Sequence, residues 1–134
     1  KKDLLKYVET VPPIGAMLIE KYWPGPLTII FRAKKVFSDL ITGKDATIAI
    51  RISDKPELLK LFEHYQNPLI TTSANISTEP PCSSAEEIKK LFGKKVNYIL
   101  PDLTGTTGTV PSTIVSVIEN KLKIIREGKI KIVI

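Results

Sequence analysis

The stretch STIVSVIENKLKIIREGKIKIVI, residues 112–134, decides the fold class. Ser112–Ile118, Leu122–Arg126 and Lys129–Ile134 are rich in β-branched residues and alternate in polarity, which predicts three strands. Glu119-Asn120-Lys121 and Glu127-Gly128 are short polar joints, so the strands should form sequential antiparallel hairpins. Upstream the pattern differs. Leu4, Leu5 and Val8 predict a short opening helix, and Pro13 opens a second one through Ala16, Ile19 and Tyr22. Trp23-Pro24-Gly25-Pro26 ends it in a turn, because Pro26 excludes the helical region for Gly25. Leu27–Arg32 and Thr47–Ile52 read as strands flanking a polar connection, 34–45, that holds Gly43. Asp54 with Glu57, and Ser84 with Glu87, read as capping boxes. They predict helices from Lys55 to about Tyr65 and from Ser84 to the stop at Gly93. Between them lie a short buried strand, Pro68–Thr72, and a loop, Ser73–Ser83. A strand at Val96–Leu100 and a Thr/Gly loop at Leu103–Val110 complete the chain. Helices mixed with strands, then strands in a run, predict an α+β fold: one domain over residues 1–134 with a twisted mixed β-sheet and flanking helices.

Composition narrows the function classes. The 134 residues hold 43% hydrophobic and 25% charged residues, near globular averages, which excludes wholesale disorder and filament-like repeats. No run approaches the roughly 20 apolar residues of a membrane span, and the first residues lack the apolar stretch of a secretory signal, so no membrane partner and a cytoplasmic location are expected. For the same reason the Asn75-Ile76-Ser77 sequon is set aside. A formal charge of +6 favours anionic partners such as nucleotides, RNA or phosphate esters. Cys82 is the only cysteine and His64 the only histidine, which excludes an internal disulfide, a cysteine zinc site and a His-pair metal site.

Several side chains look out of place. Leu122, Ile124 and Arg126 share one strand face, so a guanidinium ends an apolar row; it either snorkels to water or faces a cavity that takes an anion. Arg51 sits in a strand otherwise almost free of charge, and either pairs with an Asp or Glu or does the same. Ser73 and Asn75 follow a buried strand, where open sheets place ligands, and offer uncharged donors to phosphate oxygens; Ser and Asn there also simply make turns. Pro111-Ser112-Thr113 puts a hydroxyl pair at a strand start. Gly105-Thr106-Thr107-Gly108 is not a Walker loop, since no Lys-Ser or Lys-Thr and no helix follows. Lys121, Lys123, Lys129 and Lys131 make a polar face that solvates the final hairpin or contacts RNA phosphates. Cys82 has no His near it in sequence to activate a thiol.

Five stretches in order resemble the YrdC/Sua5 family, the threonylcarbamoyl-AMP synthases: Tyr22-Trp23-Pro24-Gly25-Pro26-Leu27-Thr28, Ile48-Ala49-Ile50-Arg51-Ile52, Thr72-Ser73-Ala74-Asn75, Pro111-Ser112-Thr113-Ile114-Val115 and Arg126-Glu127-Gly128. The resemblance implies a YrdC/RibB-like sheet around a positive cavity. It also implies that L-threonine, bicarbonate and ATP give threonylcarbamoyl-adenylate and pyrophosphate for the t6A modification of tRNA. By resemblance, Thr72, Ser73 and Asn75 bind ATP phosphates, Arg126 steadies the triphosphate, Ser112 lies between nucleotide and threonine, and Thr28 and Arg51 line the cavity. Ser73, Asn75 and Arg126 are the implied catalytic set, Mg2+ accompanies the ATP, and a downstream threonylcarbamoyl transferase takes the product. Possible RNA partners are tRNA or double-stranded RNA; a nucleotide- or double-stranded-RNA-binding module without catalysis is the rival reading. The domain of hydrogenase-maturation carbamoyltransferases resembles Ser-Gly-Asn rather than Ser73-Ala74-Asn75 and lacks the Trp-Pro-Gly-Pro turn. Family members carry a Lys-x-Arg motif in an N-terminal part of about 70 residues, beyond the usual length of a small domain core. This chain is expected to lack that part and to be inactive alone. Ser77-Thr78 stands where Ser-Gly is common, and Ser116 where Asp is common.

Overall fold

The computed structural model describes residues 1–100 and 110–134. The expected Thr/Gly loop, with Gly105-Thr106-Thr107-Gly108, lies outside the described residues except for Val110. The chain divides into two compact units: Lys1–Gln66 with Val110–Ile134, and Asn67–Thr109.

The first unit is built on a four-stranded mixed sheet. Its strands are β1 (Leu27–Arg32), β2 (Thr47–Ile50), β3 (Thr113–Ser116) and β4 (Lys123–Arg126), in the order β2-β1-β3-β4. β1 runs antiparallel to β2 and parallel to β3, and β3 runs antiparallel to β4. The α+β expectation with a mixed sheet is met. Alternation sets the core: Leu27, Ile29 and Phe31 of β1 and Thr113 and Val115 of β3 all face inward. Helix α1 (Pro13–Tyr22) covers this face with Leu18 and Ile19. Pro13 opens α1 as expected, and at Gly15 a Cβ would stand 3.2 Å from Phe31 and 3.3 Å from Val117, so glycine lets the helix lie close on the sheet. Trp23 ends the helix in extended conformation, its Nε1 donating to the Leu27 carbonyl at 2.7 Å, and the Trp23–Pro24 peptide is cis.

Several predicted elements differ. The opening helix is one 3-10 turn, Leu4–Lys6, and the polar connection contains a four-residue helix, α2 (Asp39–Thr42). Helix α3 (Pro56–His64) forms where predicted, but Asp54 does not cap it: Lys55 is the N-cap residue, with its N–H donating to Ser53 Oγ at 3.2 Å. Asp54 is drawn instead to Arg51.

The Lys129–Ile134 strand does not form, and the backbone bonds explain why. Ile130 N–H and C=O both meet the Thr113 hydroxyl, and Val133 N–H and C=O both meet the Tyr22 hydroxyl. Side chains thus satisfy groups that a ladder would otherwise have to pair. The segment runs back over the core, where Ile130 and Ile132 pack.

In the second unit, α4 (Ala85–Phe92) is the only helix or strand among the described residues. Its capping box forms as predicted: Ser84 Oγ accepts from Glu87 N–H at 3.1 Å, and Gly93 is the C-cap residue. Glu87 reaches back one residue further than the motif requires, its carboxylate accepting from the Ser83 N–H at 2.7 Å and from the Ser83 hydroxyl. The Ser83 N–H above all, then its hydroxyl, holds the Glu87 carboxyl below the usual carboxylate range. Pro68–Thr72 and Val96–Leu100 are not strands. Apolar β-formers mark a stretch that suits a ladder, but a strand exists only where a second one pairs with it.

Candidate functional site

β1 and β3 bring together residues far apart in sequence. Their parallel register sets Leu27 beside Thr113 and Thr28 beside Ile114. With Leu27 and Thr113 facing the core, Thr28 and Ser112 fall on the opposite face. There the Thr28 and Ser112 hydroxyls stand 3.0 Å apart. Arg126, at the end of β4, turns its guanidinium onto the same residue: Nη2 donates to the Ser112 carbonyl at 2.8 Å and to Ser112 Oγ at 3.3 Å, and Nε donates to the carbonyl at 3.2 Å. All four β4 residues are exposed, so Arg126 does not end a buried apolar row. Its cation is half-oriented by one carbonyl and keeps donors toward solvent, which suits an anion bound beside two hydroxyls.

Backbone contacts lock this cluster. Thr113 N–H donates to the Pro26 carbonyl at 3.0 Å, and Lys129 N–H to the Pro111 carbonyl at 2.9 Å. At Gly128 a Cβ would lie 2.3 Å from the Pro111 carbonyl oxygen and 2.5 Å from Ser112 C and Thr113 N. Only glycine allows that approach.

Arg51 does two things. Nε donates to the Gly25 carbonyl at 3.0 Å, and Nη2 stands 3.7 Å from Asp54 Oδ1. Gly25 N–H in turn donates to the Ile52 carbonyl at 2.8 Å, so the Trp-Pro-Gly-Pro turn is tied to the end of β2 from both sides. The ion-pair reading of Arg51 is therefore realised, at about a third exposure. Its three-residue spacing from Asp54 was the available signal, masked by the capping-box pattern.

Thr72, Ser73 and Asn75 belong to the second unit. The Ser73 hydroxyl donates to Asn75 Oδ1, and Asn75 Nδ2 donates to the carbonyls of Ile76 and Glu79, each at 2.9 Å. Cys82 N–H closes the loop onto the Ala74 carbonyl at 2.8 Å. All the side-chain donors of Ser73 and Asn75 are used inside the loop, so a phosphate oxygen would have to take one over. Thr113, the second hydroxyl of the pair at the strand start, is 1% exposed and takes the plain hydrogen-bonding role, on the Ile130 main chain. Among the described residues, no three His, Cys, Asp or Glu side chains stand where they could hold a metal ion. No helix among them is long and apolar enough to cross a membrane.

The mixed sheet thus brings hydroxyls at the starts of β1 and β3 together with the guanidinium at the end of β4. The family model Sua5_yciO_yrdC, described as "Telomere recombination", matches residues 1–128, and the chain belongs to that family. Among its relatives, the putative threonylcarbamoyl-AMP synthase of Methanocaldococcus jannaschii is 39% identical over 132 residues, 98% of this chain and 60% of the relative. The threonylcarbamoyl-AMP synthase of Photobacterium profundum is 41% identical over 83 residues, 62% of this chain and 45% of the relative. A solved structure of P. abyssi Sua5 complexed with L-threonine superposes with a TM-score of 0.84 at 31% identity, covering 95% of this chain and 37% of that one. E. coli YciO superposes with a TM-score of 0.79 at 27% identity, covering 95% of this chain and 61% of that one. The chain spans about half the length of the curated relatives it matches.

Proposed function

We propose that this chain, together with the Lys-x-Arg part that the family resemblance implies, acts as one cytoplasmic domain that forms threonylcarbamoyl-adenylate and pyrophosphate from L-threonine, bicarbonate and ATP for the t6A modification of tRNA. The observation that carries the reading is the Thr28–Ser112–Arg126 cluster, three members of separate family motifs brought within hydrogen-bond reach. The relatives' shared name, threonylcarbamoyl-AMP synthase, supports the same reaction.

The threonine amine takes up the carbon of bicarbonate as a carbamate, with loss of water. A carbamate oxygen then attacks the α-phosphorus, and pyrophosphate leaves. Neither step needs a side-chain nucleophile. The work of the protein is to hold three reactants in line and spread the phosphate charge. Arg126 steadies the triphosphate, Ser112 lies between nucleotide and threonine, and Thr28 and Arg51 line the cavity. Thr72, Ser73 and Asn75 take phosphate oxygens once the Ser73–Asn75 bond is exchanged for them. Magnesium bound with ATP would neutralise part of the phosphate charge. His64 has no part: its Nδ1 faces the Lys60 carbonyl at 3.2 Å within α3.

The test is mass-spectrometric detection of threonylcarbamoyl-adenylate from ATP, L-threonine, bicarbonate and magnesium. It is run on the chain and on a version preceded by the relatives' Lys-x-Arg segment. Product that depends on threonine, from the extended version, is expected. A folded extended protein that makes none, yet binds double-stranded RNA with a steep loss of affinity in salt, would replace this reading with an RNA-binding module.

A further inference from the structure

We infer that Thr113 is a positioning residue, whose buried hydroxyl locks the main chain of Ile130 onto the start of β3 and thereby fixes Ser112 and, through it, the Arg126 guanidinium. The hydroxyl donates to the Ile130 carbonyl at 2.6 Å and accepts from the Ile130 N–H at 3.2 Å. One side chain therefore satisfies both backbone groups of a residue that no strand pairs. Burial makes this matter: Thr113 is 1% exposed, so its hydroxyl has no water to turn to if the Ile130 bonds are lost.

The chain of contact is short. Ile130 and Lys129 continue directly from Gly128, which rests on the backbone of Pro111, Ser112 and Thr113. Lys129 N–H adds a bond to Pro111. Arg126 precedes Gly128 by two residues and grips the Ser112 carbonyl. Holding Ile130 on Thr113 thus presses the Arg126–Gly128 turn against the peptide that Arg126 itself bonds. On the far side Thr113 N–H binds the Pro26 carbonyl, one residue before Leu27 and two before Thr28. Release of Ile130 would leave the Arg126 end of β4 held by the Lys129–Pro111 bond, by the Arg126 side chain itself and by strand pairing across a register shift between Ile114 and Val115.

The positioning role stands on geometry; only its catalytic consequence rests on the proposed synthase reading. The experiment separates the two by reading the Arg126 Nε–H resonance by NMR, with no ligand present. In Thr113→Val, which keeps the shape and removes the hydroxyl, that resonance is expected to shift and its exchange with water to rise at least threefold. Thr113→Ser, which keeps the hydroxyl, should restore wild-type exchange within a factor of two. A folded Thr113→Val with an unchanged Arg126 resonance overturns the inference, and so does a Thr113→Ser that behaves like the valine variant. Should Thr113→Val not fold, the unsubstituted protein is read in low concentrations of urea, where the Ile130 amide and Arg126 Nε–H are expected to lose protection together. Arg126 released while Ile130 stays protected overturns the inference. In the assay of the extended protein, Thr113→Val should raise the KM for ATP at least tenfold. A shifted Arg126 resonance with an unchanged KM leaves the positioning intact and removes Arg126 from the triphosphate.

Discussion

Gly128→Ala tests the framework around Ser112 most directly, because the cost comes from space alone. Gly128 does not have a positive φ, so alanine is not penalised there by backbone conformation. Its Cβ, however, would lie 2.3 Å from the Pro111 carbonyl oxygen and 2.5 Å from two further backbone atoms, none of which is the tip of a flexible side chain. The segment after residue 128 must then lift. Overpacking of this kind costs about 1–3 kcal/mol. Lifting also strains the Lys129–Pro111 bond and the two Thr113–Ile130 bonds, each worth about 1 kcal/mol net. With some relaxation the total is about 3 kcal/mol, against about 5–15 kcal/mol for a whole domain, so the variant should still fold at 25 °C. Urea unfolding and thermal melting measure it, with a fall in Tm of about 10 °C expected for a chain of this size. Gly43→Ala is the contrast: its φ of 63° penalises alanine, yet nothing lies within 4 Å of a Cβ there. With its ψ at −176° as well, this backbone is essentially confined to glycine, so that variant should lose about 1–3 kcal/mol and keep the Lys129 and Ile130 amides protected from exchange. A Gly128→Ala protein within about 0.5 kcal/mol of wild type, the usual range of a harmless surface change, with both amides still protected, would refute the reasoning.

Two further outcomes follow from the second unit. Ser73→Ala or Asn75→Ala in the extended protein should cut adenylate formation at least tenfold with the protein still folded; wild-type turnover in either variant removes that residue from the site. Glu87 gives a pH dependence of known sign. Its carboxyl is held below the ordinary 4.5, so its contribution to the start of α4 is complete above about 4.5 and is lost as the pH falls through the lowered value. Protection of the Ser83 amide should follow that fall and lose this pH dependence in Glu87→Gln, whose amide oxygen still accepts but does not titrate; protection that still falls with pH in Glu87→Gln contradicts it.

Local signals were legible where one segment contains the whole cause. Pro13 and the Trp-Pro-Gly-Pro turn bound α1, alternation gave β1 and β3, and Ser84 with Glu87 gave the start of α4. The failures share the opposite property. Asp54 has the spacing of a cap, but a guanidinium three residues earlier competes for it. Pro68–Thr72 and Val96–Leu100 have strand composition without a partner strand among the described residues, and composition does not report partners. Residues 129–134 alternate like β4, yet their backbone groups go to Thr113, Tyr22 and Lys21 side chains. Nothing in the segment itself announces acceptors lying 17 and 111 residues away.

The candidate site was legible as motifs and not as an arrangement, and the parallel β1–β3 pair supplies the difference. Thr28 and Ser112 are 84 residues apart, and no local rule brings them together. Once β1 and β3 pair in the observed register, each weak motif acquires a mechanical reason. Trp23 and Arg51 hold the turn whose Pro26 carbonyl takes Thr113 N–H. Thr113 holds Ile130, Gly128 lets that segment close on Ser112, and Arg126 binds the carbonyl so presented. Four of the five family stretches are thus parts of one backbone knot, whose product is two half-buried hydroxyls beside an exposed cation. The fifth, Thr72-Ser73-Ala74-Asn75, is built on a different logic: a loop closed by its own side chains, with its donors spent internally. The first set is held by main-chain contacts and keeps donors free, whereas any ligand of the second would have to take over bonds that its side chains already make.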